Sequence, residues 1–207
     1  MNYATLKHAI GDLIGRPRRW RFLEWLPKDA VCAEIGVFKG DFSRDILRRT
    51  KPRELHLIDG WWTTEGKTFD HPWWYAEQGA ADTRSAYREV QALAAQHPVC
   101  TVHVGDDLKI LPTFPEHYFD WVYLDTSHMY EQTVRELEEL RRVVKPTGII
   151  AGDDWFTDPD HVYHGVCRAV TEYCERYGGQ VVADDEWNQW AVLPEVGTEN
   201  ARVPGHA

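Results

Sequence analysis

Three carboxylates in the second half of the chain stand where acids do chemistry in sheet proteins. Asp125 closes the short apolar run 121–125, and Asp153 and Asp154 follow directly on the run 149–152. If these runs are neighbouring parallel strands, all three acids arrive at one edge of the sheet, where their repulsion calls for a hard divalent cation. Oxygen-only ligands favour magnesium, manganese or calcium over zinc. The plainer alternative is that Asp153 caps the next helix and Asp125 is simply solvated. His128 stands three residues after Asp125, and an ordinary imidazole pKa of about 6.5 suits it to take a proton at neutral pH. Asp125 and His128 are thus the candidate catalytic residues, and Asp125, Asp153 and Asp154 the candidate metal ligands. His161 and His164 are weaker candidates for substrate contact, with ordinary loop polarity as their simpler role.

A second group of residues points to a nucleoside. Glu34, Gly36 and Gly40 lie where the run 31–37 gives way to a helix, and the two glycines allow a tight turn and a close approach of backbone to ligand. The spacing lacks the third glycine of a dinucleotide fingerprint and the Lys-Ser/Thr of a phosphate loop, which disfavours a pyrophosphate cradle and a nicotinamide dehydrogenase. Asp59, nineteen residues after Gly40, is placed to take both hydroxyls of a ribose. Asp106, after Gly105, is placed to accept from the exocyclic amine of an adenine.

These residues need a scaffold that brings strand ends together. The runs 31–37, 55–59, 99–104, 121–125 and 149–152 have strand length and are rich in Val, Ile and Leu, and helical periodicity fills 42–49, 83–96, 130–144 and 166–177. Alternation of this kind predicts an α/β, Rossmann-like, doubly wound sheet, mostly parallel and seven-stranded once a terminal antiparallel hairpin at 180–183 and 189–193 is added. Peripheral N-terminal helices are expected over 1–30, the main domain over 31–194 and a frayed tail over 195–207. Arg16, Arg18, Arg19 and Arg21 are read as a solvated face or a contact in a homo-oligomer. The aromatic stretch 60–80 follows a strand end directly, which fits a lid over substrate or, equally, a cap on the core.

The chain of 207 residues carries 23 Lys plus Arg against 33 Asp plus Glu, a net charge of -10. That sign disfavours nucleic acid and anionic membrane as partners. No stretch approaches the length of a spanning helix and the first residues lack a signal core, so a cytoplasmic, soluble protein is expected. Cys32, Cys100, Cys167 and Cys174 have neither disulfide nor zinc spacing and are read as reduced core thiols.

The sequence resembles the class I S-adenosylmethionine-dependent methyltransferases over about 29–193. Within them it resembles the metal-assisted branch that contains the macrocin and mycinamicin sugar O-methyltransferases. The resemblance is carried by Glu34-Ile35-Gly36-Val37-Phe38-Lys39-Gly40, Leu57-Ile58-Asp59, Gly105-Asp106, the run from Phe119 through Asp125 and His128 to Glu131, and the run from Lys145 to Trp155. Thr147 departs from a usual glycine, at a turn. The resemblance implies S-adenosyl-L-methionine as cofactor, Mg2+ on Asp125, Asp153 and Asp154, His128 as base, and a small-molecule hydroxyl as acceptor, on a natural-product sugar or another diol. A carboxylate-metal hydrolase and a non-catalytic nucleoside-binding module remain as alternatives on the same fold.

Overall fold

The computed structural model describes residues 19–64, 82–184 and 188–194. In chain order the regular elements are β1 (Val31–Ile35), α1 (Asp41–Thr50), β2 (Glu54–Asp59), α2 (Thr83–Gln96), β3 (Cys100–Val104), the single turn α3 (Asp107–Ile110), β4 (Phe119–Leu124), α4 (Tyr130–Val143), β5 (Val144–Gly152), α5 (His164–Tyr177), β6 (Gln180–Asp184) and β7 (Gln189–Leu193). The strands form one seven-stranded sheet of order β3-β2-β1-β4-β5-β7-β6. Pairing is parallel from β3 across to β5, and β7 runs antiparallel to both β5 and β6. The fold is the expected α/β Rossmann-like sheet with its terminal hairpin.

Side-chain alternation divides the core. Val31, Ala33 and Ile35 of β1 face α4 and α5 with Val122 and Leu124, whereas Cys32 faces α1 and α2 with Trp121 and Tyr123. Helix α1 forms because Phe42, Ser43, Ile46 and Thr50 recur on one buried face. It stops at Lys51, whose left-handed backbone donates to the Leu47 carbonyl oxygen, just before Pro52. The run expected at 149–152 begins earlier, at Val144, because a register shift between Phe119 and Trp121 absorbs the residues around Pro146 as an irregularity. The N-terminal 3-10 turn Arg19–Glu24 does more than decorate the domain, since Phe22 and Leu23 are buried against the α1 face. The four cysteines are free, and burial pushes the Cys32 thiol well above its ordinary range.

The strand order reverses between β1 and β4, because β2 and β3 are laid down on one side of β1 and β5 on the other. Ligands in open sheets sit at that reversal, outside the carboxyl ends of the strands. Register fixes the neighbours there: Ile35 pairs with Leu124, and Leu124 with Gly152. At the far end of the sheet, Trp190 of β7 is fully buried, and its indole Nε1 donates to the Asp153 carbonyl oxygen at 2.9 Å. The Trp155 amide donates to the Asn188 carbonyl oxygen at 2.7 Å. The hairpin thereby holds the chain that leaves β5.

Two histidines tie β2 to β3 away from that edge. His56 Nδ1 and His103 Nε2 lie 2.9 Å apart, among Phe114, Tyr118 and Phe119. Burial lowers both imidazoles below their usual range. The unfolded chain therefore takes up protons first, so stability is fully present above about pH 6.5 and is lost as pH falls toward the folded-state values. The urea midpoint is expected to fall between about pH 7 and about pH 5, and to fall less in a His56→Phe variant.

Candidate active site

The loop after β1 forms the floor of the crevice. Gly36 has φ +87°, and an added Cβ would lie 1.7 Å from the Asp125 carbonyl oxygen. Only glycine lets the end of β1 lie this close to the chain leaving β4. The contact is pinned from both sides, since the Asp125 amide donates to the Ile35 carbonyl oxygen and the Gly36 amide to that of Ile58. Gly40, at φ +74°, opens α1 as its cap and donates to the Val37 carbonyl oxygen.

The acids named as cofactor ligands have found protein partners. Glu34 shares the strand face of Cys32, which turns it toward α1, and there it is 2% exposed and accepts from the Ser43 hydroxyl. Asp59 is 6% exposed. Its Oδ2 accepts from the amides of Val37 and Phe38, and its Oδ1 from the amide of Trp61, each at 2.8 Å. Three of about four carboxylate acceptor positions thus hold the loop between Gly36 and Gly40 in shape. Asp106 caps α3 by accepting from the Leu108 amide and pairs with Lys109 at 3.3 Å. Of the aromatic stretch 60–80, residues 65–80 lie outside the described residues. Trp61 is fully buried and donates from its indole to the Phe38 carbonyl oxygen, so it braces the same loop from the core.

At the ends of β4 and β5 the structure brings together Asp125, His128 and Asp154, each offering a ligand atom within 4.8 Å of the others. His128 Nδ1 lies 2.6 Å from Asp154 Oδ2, and its Nε2 lies 4.0 Å from Asp125 Oδ1. All three side chains are only about a fifth exposed. Burial works against an imidazolium here, but the Asp154 hydrogen bond and the charges of Asp154, Asp125 and Asp153 outweigh it and raise the His128 pKa above its ordinary value. His128 and Asp154 both have left-handed backbone, at φ +61° and φ +63°. Non-glycine residues held so are uncommon and gather at functional sites.

Asp153, expected as a third ligand beside Asp125 and Asp154, is not one of the three residues that converge, and it stands outside the group that Asp154 forms with Asp125 and His128. Its main chain is tied to Leu124 and Trp190, while its charge still reaches His128. Two carboxylates and an imidazole converging in a partly buried place form a donor set that fits a divalent cation.

The loop after β5 supplies an aromatic wall that the sequence reading did not single out. Tyr163 packs on His128 with ring centroids 4.8 Å apart, and Phe156 stacks on His161 at 3.6 Å. His164 Nδ1 bonds the Phe156 carbonyl oxygen and His161 Nδ1 accepts from the Tyr163 amide, so both histidines shape this loop. The available signal was composition: four aromatic or imidazole rings within nine residues immediately downstream of Asp153 and Asp154.

Residues 33–155 match the family described as methyltransferase domain. The chain belongs to that family. Its fold is shared by a SAM-dependent methyltransferase from Aquifex aeolicus, with 19% identity and a TM-score of 0.55 over 86% of this chain and 87% of that one. The O-methyltransferase NovP aligns with 18% identity and a TM-score of 0.59, covering 86% and 79% of the two chains. The O-methyltransferase TomG from Streptomyces achromogenes, solved with SAM, aligns with 21% identity and a TM-score of 0.53, covering 86% and 80%. No curated protein matches the chain. The chain is therefore a methyltransferase domain on the fold of SAM-dependent enzymes. None of its described helices is long and apolar enough to cross a membrane.

Proposed function

We propose that this methyltransferase transfers the methyl group of S-adenosylmethionine to a hydroxyl of a small-molecule acceptor, a sugar or another diol. The observation that carries the reading is the convergence of Asp125, His128 and Asp154 beside the Gly36 crevice, at the carboxyl edge of the sheet. NovP and TomG, which share the fold, are O-methyltransferases, the second involved in tomaymycin synthesis, and this supports an oxygen acceptor.

The cofactor would lie along the ends of β1, β2 and β3, with Gly36 and Gly40 giving its methionine end room and Asp106 facing the adenine. Asp154 orients His128 through Nδ1, which leaves Nε2 as the nitrogen able to take a proton. As the acceptor oxygen attacks the methyl carbon, the bond from carbon to sulfur breaks and the hydroxyl proton passes to Nε2. The resulting imidazolium is held by the charges of Asp154 and Asp125. Asp125 and Asp154 are also the residues that would hold a divalent cation such as Mg2+, with Asp153 able to join from the same strand end. When bound, that cation supplies Lewis acidity, lowering the pKa of the acceptor hydroxyl. Tyr163 and Phe156 line the acceptor side and exclude water from it.

Asp154→Asn keeps the shape of the side chain and removes its charge. Transfer, read as S-adenosylhomocysteine release with sugar and diol acceptors, is expected to fall by about a hundredfold or more. Affinity for S-adenosylhomocysteine, read by calorimetry, should stay nearly intact, and repeating the transfer assay with magnesium and with chelator tests the cation. Equal loss of binding and transfer would sink this assignment.

A further inference from the structure

Behind the two loops that form the site lies a second pair of acids. Glu136 of α4 is 0% exposed. Its Oε1 accepts from the Thr126 hydroxyl at 2.8 Å and from Gln132 Nε2 at 3.0 Å, and the same amide lies 3.4 Å from Asp107 Oδ1. The remaining oxygens, Glu136 Oε2 and Asp107 Oδ2, are buried without a donor. A carboxylate only accepts, so two ionised groups here would leave both oxygens orphaned and set two charges against each other. One proton held between them supplies a donor to one and an acceptor to the other, and removes both faults together.

Among the described residues, the side chains that bond this pair bring no cation to it. Asp106, on the same turn as Asp107, is another carboxylate, with Lys109 turned to it at 3.3 Å. From α4 and the loop after β4 the facing groups are the neutral Gln132 and Thr126. From β2, on which α3 also rests, the residue on that face is Ile58. Burial first, and then the charge of Asp107, raises Glu136 well above the carboxylate range, and burial raises Asp107 in the same direction.

The position of the pair gives it a task. Asp107 directly follows Asp106 on the cofactor side, and Thr126 directly follows Asp125 on the acceptor side. We propose that Asp107 and Glu136 share one proton and act as a positioning pair that clamps the loop after β3 to the loop after β4, coupling the cofactor pocket to the placement of Asp125. The coupling rests on the methyltransferase reading above; the shared proton does not.

The test is a pH series from about 6 to about 10 on the full chain, comparing wild type with Glu136→Gln, whose amide is a permanent donor. From the neutral to the alkaline end, affinity for S-adenosylhomocysteine, by calorimetry, is expected to weaken by about tenfold more in wild type than in Glu136→Gln as the clamp loses its proton, since the probe's own amino group titrates alike with both chains. Should Glu136→Gln not fold, Asp107→Asn supplies the donor from the other side and must flatten the profile equally. Melting temperature is the second readout. A raised folded-state pKa means that the folded chain keeps the proton after the unfolded chain has lost it, so the pair's contribution to stability, read as the difference between wild type and Glu136→Gln, should fall with rising pH from the ordinary carboxylate range up to the pair's own value. A flat wild-type affinity profile, or a Gln variant with the wild-type slope, overturns the positioning role. A melting profile that is the same in both chains overturns the shared proton. If S-adenosylhomocysteine binds at no pH, the methyltransferase reading fails while the melting series still decides the proton.

Discussion

Gly36→Ala is expected to remove both cofactor binding and much of the stability of the fold. The new Cβ would meet the Asp125 carbonyl oxygen at 1.7 Å, its carbon at 2.5 Å and the Thr126 nitrogen at 3.3 Å, and all three are backbone atoms that cannot rotate aside. The left-handed φ adds strain of about 1–2 kcal/mol for any residue with a Cβ. Relief requires β1 and β4 to part at the point where the Asp125 amide donates to the Ile35 carbonyl oxygen. A loss of about 4 kcal/mol or more places this change among the exceptional substitutions. For a chain of this size it corresponds to a drop in melting temperature of about 10 °C or more, read by circular dichroism. Gly40→Ala is the informative contrast: its Cβ meets the side-chain ends of Val90 and Leu93 at 3.2 and 3.4 Å, which can yield. If Gly36→Ala melts like wild type, the crevice is not built as described.

Asp59→Asn separates two roles for one carboxylate. A residue that only touched ribose would lose cofactor affinity on substitution and leave the melting temperature unchanged. Asp59 instead accepts from the amides of Val37, Phe38 and Trp61 in a nearly dry place. An asparagine presents one oxygen and a donor, so at least one amide is left facing an N–H. Hydrogen bonds to a charged acceptor contribute about 1.5–3 kcal/mol, and a buried orphan donor costs a similar amount. A loss of about 3 kcal/mol is expected, or about 6–12 °C in melting temperature, together with weaker S-adenosylhomocysteine binding because the loop from Gly36 to Gly40 relaxes. Weaker binding with no thermal shift would return Asp59 to the cofactor.

The fold was legible because its signals are local. Apolar runs of strand length ending in Gly or Asp, alternating with helical stripes, specify a wound parallel sheet before any contact is known. Sequence also singled out Asp125, His128 and Asp154, each just beyond a strand, and the structure brings these three together. What it could not show was direction. Whether Glu34 turns to a ligand or to Ser43 depends on strand parity set by the register of β1 with β2 and β4. The division of labour between Asp153 and Asp154 is the same question at the end of β5. Glu136 was visible in principle, because it falls with Thr133, Leu137, Leu140 and Val143 on the buried stripe of α4. Its partner Asp107 lies on another element, and no local pattern joins the two.

The indole of Trp190 reaches back to the carbonyl of Asp153, and Asn188 to the amide of Trp155. The last strand of the sheet therefore works as a keystone for a turn made more than thirty residues earlier. As the polypeptide emerges in order of synthesis, the described main-chain ties of the Gly36 turn, to Ile58 and Asp125, are in hand while the turn after β5 still waits for the final hairpin. Changes in that hairpin would reach Asp154 and His128 through the scaffold alone.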